Sequence, residues 1–369
     1  MNRTKRLSVA ALAIAIFPAW VQPASADGPG SASFNFLKIL NGPRASGMGG
    51  TGVALGEGLL EELLVNPASL AYGDRRQVWT SYSALLDRAR LSQLGYGHSS
   101  LFYGNSAAQL HYLNYGSIQG YDALDNKTGT VGASDRLVML SWGRAMGRGL
   151  SLGSNFKWAH EKLDTVSADA LAFDLGASYE LARLRGISLG LVLRHAGPGA
   201  RFERKTEELP FQAAWGVGYT GLAHRLKLAL DFERSLDRAE LLQVHIGAEY
   251  WMHDILALRA GYKTDSDVGP GLSAGLGFKL SRELRLDYSF SPFSSLGNIH
   301  RVSLVFRFGE SAAESLYQQG LHQLHQGLYA DAILLFDKAL AAKPDHRKAL
   351  QGLKEAGEKL KAELKDRNQ

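Results

Sequence analysis

Between residues 77 and 308, apolar and polar side chains alternate one by one, segment after segment. In "RLKLALDFE" (Arg225–Glu233), Leu226, Leu228, Leu230 and Phe232 share one face, and Arg225, Lys227, Asp231 and Glu233 share the other. "GISLGLVLR" sets Ile187, Leu189, Leu191 and Leu193 against Ser188, Gly190 and Arg194, and "QVHIGAEY" repeats the theme. A period of two is that of a β-strand whose faces meet different surroundings. A soluble sandwich turns the apolar face inward. A transmembrane barrel turns it outward to lipid and keeps a polar lumen.

Three features favour the barrel. The segments run about ten residues, enough to cross a bilayer at a tilt, whereas soluble strands are nearer five or six. Aromatic residues gather near segment ends (Tyr179, Tyr219, Tyr250, Trp251, Tyr262, Phe290, Phe308), as interfacial girdles require. The polar faces carry charges of both signs in mid-strand, which suits a lumen: Lys157, Asp174, Arg194, Arg225, Lys227, Asp231, Glu233, Glu249, Arg259, Lys279, Arg285, Asp287 and Arg307. About fourteen strands fit, from 77–85 to 299–308. If the first strand starts in the periplasm, the short links "MGRG", "ARLRG", "GLAH", "MHD" and "SRE" lie there too. The two longest, Gly116–Ala133 and Gly197–Pro210, then lie outside the cell.

The flanks divide the rest of the chain. Residues 1–26 read as a secretory signal: Arg3, Lys5 and Arg6, then the apolar core Leu7–Ile16, then "ASA" (Ala24–Ala26) before Asp27. That core is shorter than the roughly 20 residues of a membrane-spanning helix. Losing the signal removes three positive charges and lowers the formal net charge from +5 to +2, which gives no support for nucleic-acid binding. With no cysteine there are no disulfides, thiolate metal sites or cysteine nucleophiles. Forty-one glycines against ten prolines suit crowded strands and tight turns. The domains expected are thus the signal (1–26), an N-terminal plug (27–76), the barrel (77–309) and a helical domain (310–369).

Two local motifs stand in the flanks. "GMGGTG" (Gly47–Gly52) matches G-x-G-x-x-G, preceded by "FLKIL" and followed by Asp74. The nucleotide reading needs a βαβ unit, and a strand array follows instead. The alternative is a backbone that turns tightly against a lumen wall, with Gly47, Gly49 and Gly50 permitting close passage. Downstream, Asn66-Pro67-Ala68 breaks the helix expected for "EGLLEELLV". The whole stretch Leu37–Gly73 resembles the N-terminal region of the PorV/PorQ family through "GPRASGMGG", "VAL" (Val53–Leu55) and "NPASLA" (Asn66–Ala71). Ser69 stands where that family commonly has glycine. The family is a branch of the FadL-type fatty-acid transporters, so the resemblance implies a fourteen-stranded outer-membrane barrel with an N-terminal hatch.

From Gly309 the period becomes helical. Residues 313–346 resemble a tetratricopeptide repeat, with Tyr317, Gly320, Gly327, Tyr329, Ala332, Phe336, Ala339 and Pro344 at the family's spacings. Residues 347–368 read as a capping helix. Such hairpins bind proteins, and Tyr317, Leu321, Leu324 and Tyr329 are the expected contact residues. His322 and His325 read as a solvated helix face rather than a metal site. No Ser-His or paired-acid constellation stands out, and His160-Glu161 and His245 with Glu249 read as satisfied polar residues. The expectation is a non-enzymatic outer-membrane barrel without metal or cofactor, in contact with outer-membrane lipid. The charged lumen argues against a large apolar pocket. The favoured role is therefore a PorV-like accessory for protein export or surface assembly, meeting periplasmic or secreted proteins. The alternative is FadL-like transport of hydrophobic small molecules.

Overall fold

The computed structural model describes residues 33–100, 103–121, 124–202, 205–236, 241–264, 270–294, 297–342 and 346–367. The expected signal (1–26) and Pro344 lie outside them. Fourteen strands close into one antiparallel barrel: β1 (Arg76–Ala84), β2 (Arg90–His98), β3 (Asn105–Tyr121), β4 (Lys127–Gly147), β5 (Leu150–Leu163), β6 (Val166–Glu180), β7 (Ile187–Ala196), β10 (Gln212–Gly221), β11 (Leu226–Ser235), β12 (Gln243–Met252), β13 (Leu256–Lys263), β14 (Leu272–Lys279), β15 (Leu284–Pro292) and β16 (Asn298–Phe308). Closure is by β1 against β16, Arg76 opposite Phe308. A short separate pair, β8 (Ala200–Phe202) and β9 (Lys205–Glu207), sits in the link from β7 to β10.

The faces are turned inside out relative to a soluble sandwich. On β11, Leu228 and Leu230 are 42% and 37% exposed, while Lys227 and Asp231 on either side of them are buried. Val217 and Ile246, the register partners of Leu230 on either side, are exposed as well. Apolar side chains outward and charged ones inward is the arrangement of a barrel in lipid.

The barrel has two unlike ends. The chain enters at Arg76 and leaves at Phe308 at the end that carries the short turns. These turns are tight: His253 and Asp254 both take positive φ, as two-residue hairpin turns demand. At the far end, β3 and β4 run on through most of the loop expected at Gly116–Ala133, and β4 reaches 21 residues. The ladder absorbs a register shift between Asn114 and Ser117, next to Gly116 at positive φ, and then continues. The wall is therefore raised on that side.

Residues 33–73 lie inside the lumen. They form two 3-10 turns (Leu60–Leu64 and Pro67–Tyr72) where a single broken helix was expected, another 3-10 turn at Asn35–Lys38, and one short helix, α1 (Pro43–Gly47). Their apolar side chains Phe34, Phe36, Leu37, Leu40, Leu59, Leu60 and Leu63 pack against inward residues of β1–β4: Trp79, Leu91, Leu113, Leu137 and Met139. Inward-facing glycines make room for the segment's backbone. A Cβ on Gly153 would strike the Pro67 carbonyl, one on Gly190 the Val53 carbonyl, and one on Gly261 the Gly49 amide. Much of the glycine excess is thus a lining of the wall. Gly190→Val should leave the barrel closed but loosen the segment by about 1–3 kcal/mol. Limited proteolysis near residue 40 measures this, and wild-type resistance would refute the packing role of Gly190.

The C-terminal part is three helices: α2 (Ala312–His325), α3 (Tyr329–Ala342) and α4 (Arg347–Arg367). Ser311 caps α2, its Oγ accepting from the Glu314 amide at 3.2 Å. Phe336 is fully buried at the centre, with Gly320 and Gly352 giving its ring space. The expected contact residues need correction. Leu324 is buried, and Tyr317, Leu321 and Tyr329 pack inward on the Phe336 cluster, because Leu353 and Ala356 of α4 close over the hairpin. The exposed large apolar side chains here are Leu328, Leu334 and Leu350.

Candidate functional site: the lumen and its outer cup

The interior is divided by sector. Beside β1–β6 an apolar cluster is set among mostly neutral polar side chains such as Gln93, Gln109 and His111; beside β11–β15 lies a dense ion network centred on Arg44 of α1. Arg44 Nε and Nη2 donate to the two oxygens of Glu249 (3.0 and 3.2 Å), and Nη1 reaches Glu62. Glu249 also accepts from Arg259 Nε at 2.7 Å. Asp287 pairs with both Arg259 and Arg285 at 2.7 Å, Arg285 reaches Glu57 at 2.8 Å, and Lys227 bridges Glu57 and Glu249. Glu62 turns its other oxygen to the amides of Glu57 and Leu59 (2.9 and 3.1 Å). The cations come from the wall and from Arg44, and three of the acids come from the lumen segment. The segment is thus held by charge as well as by packing. Burial pushes the Glu61 carboxyl up to about 7, with the nearby Asp287 charge adding to it. Its Oε2 accepts from the Arg44 amide at 3.1 Å.

A second polar group lies beside it. Lys157 pairs with Asp174, which also accepts from Asn155 Nδ2 (2.8 Å) and the His195 amide (2.9 Å). Asn155 in turn donates to the Leu63 carbonyl at 2.8 Å, tying this group to the segment.

The residues singled out in the lumen segment all meet the wall or one another. Gly47 packs on Gly275, and Gly49, at positive φ, is pressed on the β13 backbone at Tyr262. The Gly49 amide donates to Ser273 Oγ (3.0 Å) and its carbonyl meets His245 Nδ1 (2.7 Å). Gly50, also at positive φ, lies against the His245 ring. Asp231 accepts from the amides of Gly52 and Val53 (2.7 and 3.0 Å). The glycine motif therefore meets wall side chains, with no βαβ unit around it. Asn66 caps the 3-10 turn at Pro67, its Oδ1 accepting from the Ala68 amide at 3.0 Å. Its Nδ2 donates to the carbonyls of Val53 (2.6 Å) and of Ala177 on β6 (3.2 Å), so this side chain pins the kink to the wall. Pro67 seats on Gly153 and Gly176, and Ala68 is fully buried. Glu161 accepts from the Phe34 amide at 2.8 Å, and His160 pairs with Asp169.

Two expected placements need correction. Trp251 is not in a girdle. Tyr250 takes the outward position, so its neighbour points in, under Lys279 and Arg285. Lys279 itself stands at the mouth of the turn end, its ammonium over the Trp251 ring. Arg225 is exposed beyond that mouth, paired with Asp254.

At the end opposite the short turns the lumen opens as a cup of about 500 Å³. Lys38, Ile39, Asn41, Gly49 and Gly50 of the segment form its floor, and Leu85, Ala89, Tyr115, Arg194, Phe293, Ile299 and Arg301 are among its walls. Ala89, Leu85 and Tyr115 also belong to or pack against the apolar cluster below, so cup and apolar sector are continuous. Arg194 is paired with Glu233 at 2.6 Å. Arg301 is 7% exposed, and its Nε has no hydrogen-bond partner among the described residues. Sequence reading passed over Arg301, although its place in "HRVSLVFRF" follows the same parity as Ser303 and Val305, both buried inward.

No protein-family model and no curated protein sequence matches the chain. Solved structures do. The CymD monoaromatic hydrocarbon channel aligns with a TM-score of 0.54 at 14% identity, over 75% of this chain and 100% of that one. The toluene transporter TodX of Pseudomonas putida gives 0.52 at 14% identity, over 73% and 99%. A FadL homologue of Pseudomonas aeruginosa gives 0.51 at 12% identity, over 73% and 98%. This is the fold of the FadL-type barrels.

Proposed function

We propose that the chain is a FadL-like outer-membrane channel for hydrophobic small molecules, in which residues 33–73 act as the plug. One observation carries the reading: the outer cup meets the apolar cluster of the β1–β6 sector through Leu85, Ala89 and Tyr115. Most of the charges that argue against an apolar pocket are neutralised among themselves beside β11–β15, and Lys157 on β5 is paired with Asp174 on β6. The named functions of the aligned structures, hydrocarbon and toluene transport, agree with it. Phe34, Phe36, Leu37 and Leu40 occupy that sector now, and passage requires them to shift. Arg301, a buried guanidinium short of a partner at the cup, favours a ligand with an acidic head and an apolar body.

A PorV/PorQ-type accessory role is the second reading. It draws on the tetratricopeptide-like helices that follow the short-turn end, which this reading takes to face the periplasm, with Leu328, Leu334 and Leu350 exposed for a partner. Uptake into proteoliposomes separates the two. A hydrophobic carboxylic acid and its neutral methyl ester should both enter. Arg301→Met should lower uptake of the acid about tenfold and spare the ester, the loss of one charge-assisted hydrogen bond. Truncation after Gly309 should change neither. Absence of uptake of both compounds, with loss of protein partners on truncation, would establish the accessory role instead.

A further inference from the structure

The two ends of the barrel differ in charge more than in shape. The links between strands at the turn end (99–104, 148–149, 181–186, 222–225, 253–255 and 280–283) hold five arginines and two acids. Those at the far end (85–89, 122–126, 164–165, 197–211, 236–242, 264–271 and 293–297) hold five cations and eleven acids. The five arginines are Arg148, Arg183, Arg185, Arg225 and Arg282, all exposed, and among the described residues only Arg225 has an acidic partner, Asp254. Neither network of the lumen uses them.

A second pattern accompanies the first. Four of these turns also expose a large apolar side chain beside the cationic or histidine residue: Leu184, Leu222, Ile255 and Leu280. An apolar body with a cationic tip is how side chains settle at a lipid headgroup layer. The depth agrees. Outward Tyr179, Tyr219 and Tyr250 mark the interface on β6, β10 and β12. The turns begin two or three residues beyond these rings, about 3.3 Å per residue along a strand. The arginine heads therefore sit at phosphate level, and the planar guanidinium fork matches phosphate oxygens.

We propose that the turn end is a binding surface for anionic phospholipid headgroups, those of the periplasmic leaflet. A ring of arginines with apolar anchors recruits such lipids as a polybasic segment does, and the attraction is screened by salt. The proposal depends on the barrel lying in a membrane and not on what passes through it.

The test uses the full-length protein in detergent, titrated with equal amounts of phosphatidylglycerol and phosphatidylethanolamine, with retained lipid read by native mass spectrometry. Wild type should hold phosphatidylglycerol about fivefold over phosphatidylethanolamine, and about 0.5 M salt should reduce that preference. The variant R148Q/R183Q/R185Q/R282Q should lose it while keeping the heat-modifiable band of the folded barrel. Should the quadruple variant not fold, R183Q/R185Q alone should weaken the preference measurably. Equal retention of both lipids by wild type, or an unchanged preference in a folded variant, overturns the proposal. Preferential retention of lipopolysaccharide also overturns it, because the turn end would then lie in the outer leaflet. Arg301→Met should leave the lipid preference untouched, so the outcome is independent of transport.

Discussion

Replacing Arg44 with alanine should release the lumen segment. The Arg44 guanidinium is buried and serves Glu249 and Glu62 at once, and it also lies 3.6 Å from Glu57. Removing one member of a buried ion network leaves the others uncompensated, at a cost of about 3–5 kcal/mol. Glu249 keeps Arg259 and Lys227, so the wall should hold; the deficit falls on the segment's own Glu62 and Glu57. The expected result is a folded barrel with larger single-channel conductance and a protease-sensitive N-terminal segment. Arg44→Lys should recover only part of the effect, because an ammonium cannot span two carboxylates as the fork does. Adding Glu249→Gln to Arg44→Ala should cost less than the two single changes together, the mark of direct coupling. Wild-type conductance and proteolysis in Arg44→Ala would remove the charge lock from the account of the plug.

How much of this was legible beforehand depends on the residue. The strand array was. The expected first and last segments, 77–85 and 299–308, coincide within one residue with β1 and β16, because strict alternation marks both the face and the extent of a strand. Alternation assigns a face but not a sector, so it treated the lumen as uniformly polar. A signal to the contrary was present. "LVML" (Leu137–Leu140) is apolar on both faces, and its inward members Leu137 and Met139 line the apolar side. Trp251 was misplaced by proximity to a strand end, when parity with Tyr250 already turned it inward. Arg44 carries no periodic signal; its importance comes from the five acids and four cations that the fold gathers from residues 44–62 and 227–287. The capping helix is legible in residues 347–368, but its amphipathic pattern does not say which hairpin face it covers, and it covers Tyr317, Leu321 and Leu324.

The outward apolar face is tested most sharply at the middle of β11. Leu230 stands four residues from one end of the strand and five from the other, between outward Val217 and Ile246. Leu230→Arg therefore sets a guanidinium near the bilayer midplane, at a cost of about 2–4 kcal/mol. At the turn end the same exchange should be nearly neutral: Leu184→Arg places the charge among headgroups, where the cost is about 0–1 kcal/mol. Lys227→Leu is not a mild control for the inner face, because Lys227 is buried between Glu57 and Glu249 and its loss unbalances the network. The measurement is the folded fraction in phosphatidylcholine vesicles across a urea titration. Leu230→Arg should move the midpoint well below that of wild type, while Leu184→Arg should follow wild type closely. If the outward face met water instead of lipid, both leucines would lie at a water-facing surface, and the two variants would behave alike. Matching midpoints for the pair would therefore count against the membrane barrel itself, and with it against both functional readings.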